Sequence, residues 1–181
     1  MVYSNTGQRN HPGMKRTLYI LIIFLFIAFV ARSQSLDSAT LSKAVVEQAD
    51  SAVSTLIRKD YKSYVKFIYP ALVQQAGGAT AMAKLLEKTI KEGVESKGAR
   101  FVSATFGKPS AIVKKGNELQ CTLQETILME IGDRQGESRS TLIAISSDNG
   151  KTWKFLDTSG KNLDEMRKSF PNLSSKLIIQ N

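Results

Sequence analysis

Histidine occurs once in the 181 residues, at His11, and cysteine once, at Cys121. A single thiol cannot close an internal disulfide, so stability has to come from a packed core. Beyond residue 11 there is no imidazole. Residues 12–181 therefore hold no Ser-His-Asp or Cys-His set and lack the commonest side-chain ligand of zinc, copper and iron. No metal-ligand spacing, phosphate-binding Gly-rich loop, internal repeat or low-complexity stretch is present, and no cofactor is expected. Long apolar runs are equally scarce: there is one, Leu18 to Ala31.

That run follows Lys15 and Arg16 and ends in Ala31-Arg32-Ser33. A basic start, a short apolar stretch and small residues at −3 and −1 are the parts of a secretory signal. A spanning helix wants about 20 residues, and this run is shorter. The expected reading is a signal peptide over residues 1–33, cleaved between Ser33 and Gln34, and an exported protein, periplasmic or secreted. Met14 is a compact alternative start. Use of Met1 favours the other reading, an uncleaved segment that anchors the chain to the membrane. No cysteine follows the run directly, which argues against a lipid anchor. Removing the first 33 of 181 residues leaves 148, one domain of ordinary size. It also removes Arg9, Lys15, Arg16 and Arg32 and no acid, so the net charge drops from +9 to +5. The remaining basic residues are dispersed, and no nucleic-acid partner is expected.

Helix signals fill the first half of the remainder. Leu41, Val45, Ala49, Ala52, Val53 and Leu56 share a face, with Asp37 placed to cap. A shorter helix carries Tyr61, Tyr64, Val65 and Ile68 on one side, and Pro70 stops it. After the Gly77-Gly78 break, Thr80 is expected to cap a third helix with Met82, Leu85, Leu86 and Ile90 inward, and Gly98 to end it. Strand signals fill the second half. Phe101–Phe106 and Ala111–Val113 are short. Leu119–Ile131 alternates cleanly: Leu119, Cys121, Leu123, Ile127, Met129 and Ile131 share a face with one intruder, Glu125. Gly132–Gly136 reads as a turn, Arg139–Ser146 and Thr152–Asp157 as strands. A helix over Leu163–Phe170 and an apolar tail at Leu177-Ile178-Ile179 close the sequence. The expectation is an α+β domain over residues 34–160, with three N-terminal helices on a curved antiparallel β-meander. Residues 161–181 pack on the same domain. Such a sheet is expected to bury one face and show the other to water.

This order of elements resembles the nuclear transport factor 2-like superfamily, a cone-shaped α+β fold. The similarity covers Leu36 to Asp157. It rests on Gly77-Gly78 before the third helix, the long strand Leu119–Ile131, and Ser147-Asp148-Asn149-Gly150-Lys151-Thr152-Trp153 leading into Phe155-Leu156-Asp157-Thr158-Ser159-Gly160. It looks closest to small exported bacterial members of unknown function. The resemblance implies a pocket at the open end of the cone, lined by inward positions of the long strands, with Glu125 and Asp157 as its carboxylates and Tyr64 or Tyr69 beside them. Isomerase relatives use a carboxylate base with a tyrosine or a protonated acid at the oxyanion. The histidine that dehydratase relatives pair with an acid is missing here. Against the pocket reading stands a structural one: Asp157 ties down the Thr158-Ser159-Gly160 turn, and Glu125 sits at a wet rim.

Other signals have plain readings. Ser146-x-Asp148-x-Gly150-x-Thr152-Trp153 matches the Asp-box of sialidase propellers, but one copy builds no propeller. It reads as a hairpin loop, with Gly150 at positive φ. Cys121, on an apolar strand face without a base, reads as a core residue. Arg58, Lys59, Lys62 and Lys66 form a basic strip, a solvated face or a surface for anionic lipid. Two functions remain. One is a non-catalytic exported module that binds a small apolar molecule or a protein, a second copy of the chain included. The other is a small isomerase or lyase using Glu125 or Asp157.

Overall fold

Asp37 starts the described part of the domain as the sequence suggests. Its carboxylate accepts the Ala39 and Thr40 amides and caps a helix over Ser38–Ile57 (α1). The computed structural model describes residue 1 and residues 37–180; the latter belong to one unit, Leu36–Asn181. The expected signal segment and the Ser33–Gln34 bond lie outside the described residues. Leu41, Val45, Ala49 and Ala52 of α1 are buried at helical spacing, while Val53 and Leu56 are half-buried.

The second helical stretch is more broken than its periodicity predicts. A single turn, Tyr61–Tyr64 (α2), capped by Asp60, tightens into a 3₁₀ turn at Val65–Phe67. Ile68 and Tyr69 are then extended, with ψ of 143° and 127°. Pro70 stops one helix and also opens another, Pro70–Gln75 (α3), at the first-turn position where its missing N–H costs nothing. The next helix, Ala79–Gly93 (α4), is capped by Gly78 and not by Thr80, which already lies inside it. Gly78 has φ +98°, so the chain reverses there at a residue that tolerates it. A 3₁₀ turn, Glu95–Lys97, follows, and Gly98 ends that turn in the left-handed region.

The strands are Ala99–Phe106 (β1), Val113–Lys115 (β2), Glu118–Ile131 (β3), Arg134–Ser146 (β4) and Lys154–Asp157 (β5). All pair antiparallel in the order β1-β3-β4-β5, and β2 continues the β1 edge along the other end of β3. The domain is therefore α+β with an antiparallel sheet. β4 begins five residues before Arg139, because Gly132-Asp133 alone makes the turn and Ile131 pairs with Arg134. Ile68 bridges Phe155 in parallel, and the Tyr69 amide donates to the Phe155 carbonyl at 3.0 Å. This contact fixes the α2–α3 segment along the β5 edge.

The expectation of one wet sheet face is overturned. Odd positions of β3 face α1, in a core of Cys121, Leu123, Leu142, Ala144, Trp153 and Phe155. The opposite face buries Ile143, Ile145 and Leu156 against the helix Leu163–Ser169 (α5) and the tail residues Phe170, Leu173 and Leu177. Polar Gln120 and Thr122 on that face are 0% and 4% exposed. They tolerate burial because the tail brings partners: Gln120 donates to the Asn172 carbonyl and accepts the Ser174 amide, and Thr122 donates to the Ile178 carbonyl. The tail is not a strand. It runs along the outer face of β3 from Gln120 to Gln124 and is held there by side chains.

The Asp-box segment is a β4–β5 hairpin loop. The Ser146 hydroxyl accepts the Gly150 amide, and the Asp148 carboxylate accepts the Thr152 amide and hydroxyl. Gly150 has φ +87°, which strains other residues, and a Cβ there would press on the Leu41 side chain of α1, so glycine suits this turn. Gln48 of α1 clamps the loop from above, accepting the Trp153 amide and donating to the Lys151 carbonyl.

Cys121 is 0% exposed, and burial pushes its thiol up to about 12. Native protein is therefore expected to react with a thiol reagent only at the rate of opening, and unfolded protein at once. Native and urea-unfolded protein labelled side by side with a chromogenic disulfide would test this. Equal rates would mean that the thiol is open in the folded state.

Candidate functional site

The interruption in the β3 alternation defines the site. Glu125 follows Cys121 and Leu123 on the helix-facing side, and the register sets it opposite Phe106 of β1 and Ser140 of β4. One row away, Leu123, Leu142 and Asp157 are aligned across β3, β4 and β5. The two carboxylates thus sit on the same sheet face, diagonal across β4, on either side of Leu142. Both line a cavity of about 200 Å³. Its walls are Ala49, Ala52 and Val53 of α1, Tyr64, Phe67 and Ile68 of the segment that follows, Leu72, Met82 and Leu86 from α3 and α4, and Leu142 and Phe155 of the sheet.

Glu125 is 6% exposed. Its Oε2 accepts a 3.3 Å bond from the Ser140 hydroxyl, and no basic side chain pairs with it among the described residues. Burial lifts its pKa to about 7, repulsion from Asp157 adds to this, and the Ser140 bond opposes it. Asp157 is exposed and does two things. Its Oδ1 accepts the Ser159 amide at 2.9 Å, the turn role expected of it, and it also faces the cavity. Tyr64 is held well above the ordinary phenol range, first by burial and then by Glu125 and Asp157. Its hydroxyl therefore stays a donor throughout neutral pH.

The structure brings together Tyr64, Glu125 and Asp157. It does not bring Tyr69 to them. The extended backbone at Ile68–Tyr69 sends the Tyr69 ring to the tail side, where it meets Phe170 edge-on at 6.0 Å and donates to Glu118 at 3.4 Å. Phe67, Leu72 and Ala49 also line the cavity. Ala49 and Ala52 were legible as the small residues of the buried α1 stripe, which leave room above the sheet. Phe67 was hidden by the 3₁₀ turn.

A larger concavity, about 680 Å³, lies between the Lys59–Lys62 segment and α4. Lys62, Lys84 and Lys91 alternate there with Asp60 and Glu87, and Lys59 pairs with Glu95 at 2.6 Å. It is an open groove of mixed charge, four lysines to three acids, and does not hold the buried carboxylate. Among the described residues no helix is long and apolar enough to cross a membrane. No group of three or more His, Cys, Asp or Glu side chains among them could hold a metal.

No protein-family profile and no curated protein matches the chain. A solved structure from Catenulispora acidiphila is similar at 13% identity, over 64% of this chain and 85% of that one, with a TM-score of 0.45. At that level the likeness carries no argument.

Proposed function

We propose that this is an exported module of the nuclear transport factor 2-like kind, which binds a small apolar molecule in the cavity between α1, α4 and the sheet. The observation that carries this reading is Glu125: a buried carboxylate with one hydroxyl partner, opening on a space walled by apolar side chains. Buried polar groups without full partners are rare in folded proteins and point to something that completes them. Volume limits the ligand. Cavities of about 150 Å³ hold benzene, so about 200 Å³ suits a molecule of one ring. Export is supported by the Lys15-Arg16 start, the Leu18–Ala31 run and Ser33.

Toluene is a suitable first probe. Added to isotopically labelled protein, it is expected to shift the methyl signals of Leu72, Met82, Leu86 and Leu142 together, saturably, leaving Leu173 and Leu177 on the far face unmoved. No shift up to the solubility limit would show that the cavity does not open to ligands and would remove this reading.

A second reading is favoured by the Glu125 pKa. A carboxylate near 7 beside a protonated tyrosine in an apolar site suits proton abstraction from carbon, with Tyr64 donating to the developing oxyanion. Exchange of α-protons of a small cyclic ketone into heavy water, lost in Glu125→Gln, would establish it. Exchange equal to the buffer blank would leave binding alone.

A further inference from the structure

We propose that the ligand of this cavity is a small apolar cation, an amine or quaternary ammonium compound of about one ring in size, held between the carboxylates of Glu125 and Asp157 and the rings of Tyr64, Phe67 and Phe155. This rests on the reading of the cavity as a ligand site and adds the charge of what enters.

The argument is one of charge balance. The chain carries 25 lysines and arginines against 16 acids, yet none of the residues around this cavity is basic and two are acidic. Neither Glu125 nor Asp157 takes part in an ion pair among the described residues. Elsewhere acids and bases do find each other, as Lys59 and Glu95 do at 2.6 Å. A buried carboxylate without a countercharge is costly to ionise, and the molecule can relieve that by holding a proton or by admitting a cation. An anion would meet two carboxylates and no donor of positive charge. A neutral molecule would gain apolar burial but leave the carboxylates as they were. A cation gains burial, pairs with Glu125 and Asp157, and lies against aromatic faces, whose negative quadrupoles favour the same sign of charge. The walls supplied by Ala49, Ala52 and Leu142 demand that the rest of the ligand be apolar.

Proton bookkeeping gives the test a signature that packing alone would not produce. The amine enters protonated. Glu125, protonated in much of the free protein near neutral pH, must release its proton to solvent to pair with it. Amine binding is then weakened by the fraction of protein whose Glu125 is still protonated.

Benzylamine, benzyl alcohol and benzoate share a shape and differ in charge. Calorimetric or NMR titration at pH 8 is expected to rank them amine first, alcohol at least about tenfold weaker, and benzoate without binding at the cavity. Between pH 5.5 and 8 the amine should tighten by about tenfold or more as the competent fraction rises, and the alcohol should not. In Glu125→Gln the amine should weaken and lose that pH dependence while toluene still enters. Alcohol equal to or tighter than amine, preferred binding of benzoate, or an unchanged pH dependence in Glu125→Gln would each overturn the cation assignment. If toluene still shifts the cavity methyls in that event, the cavity reading survives alone; if none of the four probes does, both fall.

Discussion

Trp153→Ala is expected to lower the unfolding free energy by about 3–5 kcal/mol, the range for removing a large buried aromatic. The ring is 0% exposed and packs where α1, β4 and β5 meet, against Leu41 and Val45 on one side and the inward face of the sheet on the other. Its backbone amide is the bond by which Gln48 holds the β4–β5 loop to α1. The alanine keeps that backbone bond, so the loss comes from the cavity opened beneath α1. The indole Nε1 has no hydrogen-bond partner among the described residues, and a buried unpaired donor opposes folding. Trp153→Phe is accordingly expected to cost less than half as much, since it discards that donor and keeps most of the apolar contact. Urea unfolding of the three proteins measures both differences. A loss under about 1 kcal/mol for the alanine variant would place the ring outside the load of the core.

Raising the pH from 5 to 8 is expected to destabilise the wild-type protein by on the order of 3 kcal/mol through Glu125 alone. In the unfolded chain this carboxyl ionises near 4.5, and in the folded protein near 7. Between those values the folded state binds the proton more tightly, so stability is highest at acid pH, falls through the window from about 4.5 to 7, and levels above it. That is the reverse of the slope given by a carboxylate whose pKa folding lowers. Glu125→Gln keeps the shape and the Ser140 contact without a charge, so its unfolding free energy should be flat across the window on this account and exceed the wild type at pH 8. Thermal or urea unfolding of both proteins at pH 5 and 8 gives the difference directly. A wild type no less stable at pH 8 than its glutamine variant would mean that the carboxylate is solvated or paired.

Much of this site was written in the period of two along β3. An acid at the fourth position of an otherwise apolar face marks Glu125 before any coordinates, and the same alternation in Trp153-x-Phe155-x-Asp157 carries Asp157 to the same face. Helical spacing puts Tyr64 on the inward side of its turn, but only the resemblance set it, or Tyr69, beside the carboxylates. Tyr69 failed to join because the chain leaves the helix at Ile68, and an extended pair of residues sends the next ring to the other side. Pro70 could be read as a stop but not as a start, since both depend on the missing N–H and only the neighbouring chain selects between them. The face carrying Gln120 and Thr122 looked like a water face because polar residues usually mean water. Here they mean carbonyls and amides from residues 172–178, and a contact more than fifty positions away leaves no local trace in the sequence.

That long-range cover has a bearing on how the protein is made. Synthesis and any threading through a membrane proceed from the amino end, so Ile143, Ile145 and Leu156 emerge well before Leu173 and Leu177, which close over them. Until those last residues arrive the sheet has one finished side and one sticky side, and the half-built protein is at its most aggregation-prone late in its emergence.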